Sequence, residues 1–234
     1  MGVFDLRPGD GSCAYEHDED GDSTRINWYA PNYSFTFFTA WNGLVTENWP
    51  RNVPVQITAD DPNTPESPDF TDTDYAYEIP EDPGRTRLIY DFPADYIIQP
   101  GYTVAISNGQ ITRTLVISLI QITNVDVATD IVSGIADPFA NVVVDSWRGA
   151  VRYVIADEYG DWSVDFSELG EFGGDGKDIL YDIEPNADLN AHVPDEDGDI
   201  TLAEWHVPNP NLHVFVTQDR IEARDWPIGN VITL

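Results

Sequence analysis

The sequence predicts an all-β chain of tandem β-sandwiches, set in a repeat array with a period of 177 residues. Three observations lead there. Apolar residues almost never recur at helical spacing. Short alternating apolar runs bounded by Gly, Pro, Asn and Asp recur every ~8–12 residues, the spacing of strands and turns in a sandwich. And the acidic heptad DEDGDST at 18–24 returns as DEDGDIT at 195–201.

The heptad is the centre of a longer match. Compared without gaps, residues 1–57 and 178–234 are identical at 15 of 57 positions. Asp5, Pro8, Trp28, Pro31, Asn32, Phe38, Trp49 and Pro50 recur as Asp182, Pro185, Trp205, Pro208, Asn209, Phe215, Trp226 and Pro227. An acidic low-complexity tract would match at several offsets and would not hold Trp, Pro and Phe in register. The match is an internal repeat.

Taken in order, strands are expected near 34–40, 43–46, 53–59, 74–79, 86–92, 102–107 and 110–118. These seven make a first sandwich over 28–119. A second set near 120–127, 131–136, 141–146, 150–156, 161–166, 179–183 and 201–206 makes another over 120–209. The Pro- and acid-rich stretch 62–72 and the Gly-rich stretch 168–178 read as loops. Residues 1–27 match the closing strands of a preceding repeat, and 210–234 the opening strands of a next sandwich. The ends are expected to be cuts through a longer array, or overlaps meant for neighbouring copies. Domains joined with almost no linker, as at 110–127, should form a stiff rod.

The second sandwich carries a signature. SGIADPFANVVV at 133–144 is followed by ADEYGDWSV at 156–164. This resembles the bacterial Ig-like repeats of large extracellular surface proteins and adhesins, in which a Gly-x-Ala-x-Pro-x-Ala-x-Val hairpin precedes an Asp-x-x-Gly-x-Trp-x-Val hairpin. Gly134, Ala136, Pro138, Ala140, Val142, Asp157, Gly160, Trp162 and Val164 hold the matching positions. The resemblance covers about 50 residues and implies tandem Ig-like β-sandwiches. In the pattern Pro138 and Phe139 turn the chain, Val142 and Val144 share a face, Gly160 takes positive φ, and Trp162 plugs a core.

Composition narrows the function. Formal net charge is −31, with 29 Asp and 13 Glu against 11 basic residues. Such a surface repels nucleic-acid phosphates and anionic membranes. It suits a salty or cation-rich exterior and resembles the surfaces of halophilic proteins; frequent Asp in many turns explains it equally well. No run approaches the ~18 apolar residues of a membrane helix. MGVFDLRPGDG lacks a basic region followed by an apolar one, so no signal peptide is expected within this sequence. Cys13 is alone, which excludes an internal disulfide.

The heptads are the candidate chemistry. DEDGD resembles the calcium loops of EF-hands and related Asp-rich turns, where carboxylates at alternate positions converge and calcium takes six to eight oxygens. The candidate metal residues are Asp18, Asp20 and Asp22 in one copy, and Asp195, Asp197, Asp199 and Glu204 in the other. The departures from an EF-hand are clear: Glu16 and Val193 hold the first-ligand position, Asn27 replaces the last, and no helices flank the loop. The two readings are a strand-connecting calcium turn and a solvated acidic hairpin turn. Strand alternation places 195–199 at the N-terminal pole of the second sandwich, where calcium would clamp successive modules with Asp126, Asp130 and the 60–74 loop nearby.

Catalytic patterns are missing. His17, His192, His206 and His213 show no metal-ligand spacing, and there is no G-x-S-x-G, P-loop or Cys–His pair. Tyr29, Tyr33 and Trp41, with Trp28, are the candidate sugar-stacking residues; Trp28 recurs as Trp205, which favours a packing role for it. Asn32-Tyr-Ser34 is a glycosylation-type sequon. The expectation is a non-catalytic extracellular or cell-surface repeat protein: a stalk, fibre or adhesin shaft. Its expected partners are copies of itself, joined head-to-tail by strand addition or as covalent neighbouring repeats. The alternative is a secreted carbohydrate-binding module.

Overall fold

The computed structural model describes residues 11–82, 84–171 and 173–226. Among these residues it is all-β apart from one 3₁₀ turn at Val216–Gln218. The chain divides into two compact units. Among the described residues, the first takes 11–37, 42–117 and 195–199; the second takes 38–41, 118–194 and 200–226.

In the first unit, β3 (Phe35–Phe38), β4 (Gly43–Glu47), β5 (Pro54–Asp60), β6 (Phe70–Tyr75), β7 (Tyr77–Glu78), β8 (Thr86–Asp91), β9 (Thr103–Ser107) and β10 (Thr112–Val116) form two layers. One layer runs β10-β9-β5-β6 and the other β3-β4-β8-β7, and the neighbour pairs β10–β9, β9–β5, β5–β6, β4–β8 and β8–β7 are antiparallel. Alternation builds the core. Val55, Ile57 and Ala59 on β5 are buried, as are Val104 and Ile106 on β9, because successive strand residues face opposite sides. Trp49 is fully buried between the layers; its indole N–H donates to Thr46 Oγ1 at 2.7 Å, and Thr46 donates to the Ser34 carbonyl at 3.0 Å. That pairing lets a large polar-tipped ring sit dry.

The second unit pairs β11 (Ile120–Asp126), β12 (Ile131–Ala136) and β15 (Asp161–Asp165) in one sheet. Facing it, β13 (Asn141–Ser146), β14 (Val151–Ile155), β16 (Asp188–Pro194) and β17 (Ile200–His206) run in the order β14-β13-β16-β17. Val142 and Val144 are buried, Gly160 sits at φ +88°, and Trp162 is in the core. Gly134 is sterically obligatory: a Cβ there would lie 2.0 Å from the Gln121 carbonyl and 2.3 Å from the Trp162 ring.

Three expectations need correction. The segments 133–144 and 156–164 do not form hairpins. β12 pairs with β11 and β15, whereas β13 pairs with β14 and β16, so 137–140 and 156–160 are corners that carry the chain between sheets. The corners bond each other, Phe139 N to the Asp157 carbonyl at 3.3 Å and Ala156 N to the Ala140 carbonyl at 3.0 Å. Residues 179–183 form no strand. Tyr181 and Ile183 are buried, but their amides go to the Phe166 carbonyl and the Asp130 carboxylate, 3.0 and 2.8 Å away. The second sheet is instead completed by β16, unexpected from the sequence although Leu189, Ala191 and Val193 alternate there with Asp188, Asn190 and His192. In the first unit β6 begins at Phe70, inside the expected loop.

Two further hairpins complete the described chain: β1 (Gly11–His17) with β2 (Ser23–Tyr29), and β18 (Asn211–Phe215) with β19 (Arg220–Arg224). Each is a two-stranded sheet by itself, and both leave large side chains exposed, among them Tyr15, Ile26, Val214 and Ile221.

Candidate functional site: the acidic hairpin turns

The two heptads fold alike. β1–β2 pairs Gly11 with Tyr29 and His17 with Ser23; β16–β17 pairs Asp188 with His206 and Pro194 with Ile200. Every bound and pairing is offset by 177. The turns share their internal bonds as well. Asp22 N and Asp199 N each donate to the first acid's Oδ1, of Asp18 and Asp195, at 2.9 Å. Asp18 N and Asp195 N reach the Asp22 and Asp199 carbonyls at 3.1 and 2.8 Å. Gly21 and Gly198 take φ +96° and +85°, which closes a tight turn without a Cβ penalty. The first acid of each heptad thus caps its own turn.

Beyond the turn the copies diverge. Asp18, Asp20 and Asp22 are exposed, and one oxygen of each lies within 4.8 Å of the others. Asp18 is held below the ordinary carboxylate range, chiefly by its hydrogen bond with Asp20 and by the amides of Asp22, Gly21 and Asp20. Three carboxylates so close repel one another, and a hard cation would relieve that. Asp195, Asp197, Asp199 and Glu204 do not form such a cluster among the described residues.

Asp199 has another use. It is fully buried. Its Oδ1 accepts the Phe35 amide at 2.8 Å, and its Oδ2 accepts Arg113 Nε at 3.2 Å and a terminal Arg113 nitrogen at 3.1 Å. Arg113 also donates to the Asp197 carbonyl at 2.6 Å. Both oxygens are thereby spent on protein donors. Burial pushes the Asp199 carboxyl above its ordinary range, with Phe35 and Arg113 pulling the other way. Two residues on, buried Thr201 accepts the Ser118 amide through its hydroxyl at 3.1 Å. Arg113 was not among the sequence candidates. Its signal was a lone arginine in the apolar run ITRTLVISLIQIT, at 111–123.

Glu204 lies exposed on β17, lining a hollow of about 400 Å³ with Trp147, Asn190, Trp205 and the hydrogen-bonded pair Asp188–His206. Asp130 is engaged with Ile183, and Asp126 Oδ1 accepts the Ala128 amide at 2.9 Å. Of the sugar-stacking candidates, Tyr33 packs edge-on against core Trp49 at 5.5 Å, and Trp41 packs on Phe38 at 5.0 Å. Tyr29 ends β2, and its side chain is outside the described set.

No family model and no curated protein matches the chain. Solved structures do resemble it. One is a tetra-tandem repeat in the extending region of a large adhesion protein, at 15% identity and a TM-score of 0.22, covering 88% of this chain. This chain spans 59% of that one, under two thirds of its length. Another concerns host cell surface retention of a 1.5-MDa bacterial ice-binding adhesin, at 12% identity and a TM-score of 0.23, covering 92% of this chain and 72% of the other. Among the described residues, no helix is long and apolar enough to cross a membrane.

Proposed function

We propose that this chain is a segment of an extracellular, non-catalytic repeat protein that serves as a stalk, fibre or adhesin shaft. The observation that carries the proposal is the duplicated hairpin: β1–β2 and β16–β17 share bounds, register and turn bonding at an offset of 177, and among the described residues β16–β17 contributes to a core while β1–β2 does not. A hairpin repeated at an offset of 177 supports an array in which each period is a pair of sandwiches and neighbours are copies of the same design. Acidic surface and short connections suit a rod kept extended outside the cell.

The test is length. Chains of one, two and three periods are made and their maximum dimension is measured by small-angle scattering. A shaft gives a constant increment per period. A dimension that grows only as the cube root of mass sinks the proposal.

Calcium is part of the same reading. The Asp18–Asp20–Asp22 cluster is the favoured site, and binding to the folded form should raise the melting temperature by mass action. At fixed ionic strength, millimolar calcium is expected to raise Tm, and Asp20→Ala to abolish the gain. Coincident melting curves in calcium and in chelator remove calcium from the account.

A further inference from the structure

Arg113 and the Phe35 amide form a receptor for one buried aspartate, and the chain carries two hairpins built to deliver one. In β16–β17 the buried positions include Ala191, Asp199, Thr201 and Ala203. The same places in β1–β2 are held by Ala14, Asp22, Thr24 and Ile26: three identical and one apolar. The pair that makes the outward bonds, Asp199 to Phe35 and Arg113 and Thr201 to Ser118, recurs intact as Asp22 and Thr24, both exposed. Turn bonding is shared, so Asp22 is presented with the backbone geometry of Asp199.

We propose that the Phe35–Arg113 receptor of one chain accepts Asp22 on the β1–β2 hairpin of a second copy, in place of its own Asp199. Chain reach selects the second copy. Asp22 lies seven residues before the end of β2 at Tyr29, about 23 Å along a strand. The six steps from Tyr29 to Phe35 span at most about 22 Å when extended. Self-docking would need all six steps to reverse at Tyr29 and run fully extended back along β2, whereas the Ser34 amide donates to Asn32 Oδ1, and Asn48 and Thr46 donate to the Asn32 and Ser34 carbonyls, which ties 32–34 to 46–48 instead. Charge selects the acid, since the receptor presents a guanidinium and an N–H, two donors matched to a carboxylate.

Two departures set the balance. Ser12 stands where Leu189 is fully buried, and Arg25 where Leu202 is buried. The incoming hairpin is thus the weaker occupant, and the chain's own hairpin holds the receptor until copies are concentrated or tethered side by side. The exchange gives a non-covalent contact between copies that needs no new surface.

This inference rests on the reading of the chain as one of many neighbouring copies, which the scattering experiment tests separately. A rod there with no exchange here removes the exchange and leaves the shaft. The exchange is tested by analytical ultracentrifugation of the full chain. Asp199→Ala weakens the resident hairpin and is expected to tighten self-association at least tenfold, and adding Asp22→Ala is expected to reverse that. A folded Asp199→Ala chain that stays monomeric, or one whose association ignores Asp22→Ala, overturns the proposal. Should Asp199→Ala not fold, hydrogen exchange of the unaltered chain decides. Amides of 11–29 slow with rising protein concentration if the hairpin docks; rates equal at every concentration overturn it.

Discussion

Asp199 shows how one carboxylate can be both costly and needed. Its charge is removed from water, and a guanidinium with 15% of its side chain exposed, together with one amide, replaces the lost solvation. Removing one partner of a buried pair leaves the other stranded. Asp199→Ala is therefore expected to destabilise the fold by about 3 kcal/mol in urea unfolding, whereas Asp22→Ala in an exposed turn should change stability by less than about 0.5 kcal/mol. The pH dependence separates two kinds of acid. Asp199 is raised by burial, so the folded state takes up its proton before the unfolded state does. Stability from this group rises as pH falls through its folded value toward about 3.9. Asp61, Asp72 and Asp165 are lowered, chiefly by the Asn63 amide, the Tyr90 hydroxyl and the Ser167 side chain respectively. Their contributions hold above about 3.9 and are lost as pH falls through their folded values. The difference in unfolding free energy between the unaltered chain and Asp199→Asn should accordingly shift in favour of the unaltered chain as pH falls from neutrality toward about 3.9. A constant difference would mean that Asp199 keeps its charge throughout.

At the scale of elements, alternation made most strands legible and could not choose their partners. Runs such as IVSGIA and NVVVDS mark strands because one face must be dry, but the same pattern is satisfied by a hairpin or by a corner between sheets. Here the core needs both layers, and the corners won. The strap at 179–183 misled for a related reason: ILYDI reads as a strand, yet its amides are taken by a carbonyl and by Asp130. The acidic turns were legible as turns because Asp and Gly each have a local physical role. The receptor for Asp199 was not, because it joins residues 164 and 86 positions apart. Arg152 is a second long-range organiser. It is buried over the Phe166 ring and donates to the carbonyls of Val151, Asp165, Phe166, Glu168, Lys177 and Ile179, fixing the segment around the Gly-rich loop. Burial lowers its pKa, with Asp165 opposing. A lysine cannot reproduce a planar fork of five donors. Arg152→Lys should cost about 3 kcal/mol, with accelerated hydrogen exchange over 166–181; unchanged exchange there would make Arg152 a local contact only.

For the whole molecule the dominant quantity is a formal charge of −31. The 42 acids face 11 Lys and Arg, so most carboxylates have no cationic partner even if every basic residue makes one pair. Several ion pairs involve basic side chains 40% or more exposed, including Arg51–Glu78, Arg87–Glu47 and Arg148–Glu184, and pairs of that kind contribute little each. The folded chain packs these charges closer together than the unfolded chain does. Repulsion should therefore oppose folding at low ionic strength and fade as the screening length shortens from ~30 Å at 0.01 M to ~8 Å at 0.15 M. In chelator, to exclude divalent ions, raising NaCl across that range is expected to lift Tm by about 4 °C, which corresponds to roughly 1–2 kcal/mol for a chain of this size. The rise should level off once screening reaches the spacing between neighbouring acids. Calcium at constant ionic strength acts differently, since it needs the converging oxygens of Asp18, Asp20 and Asp22 rather than the bulk field. A salt response that survives Asp20→Ala while the calcium response does not would separate the two. A Tm flat in NaCl would mean that the carboxylates lie too far apart to oppose folding.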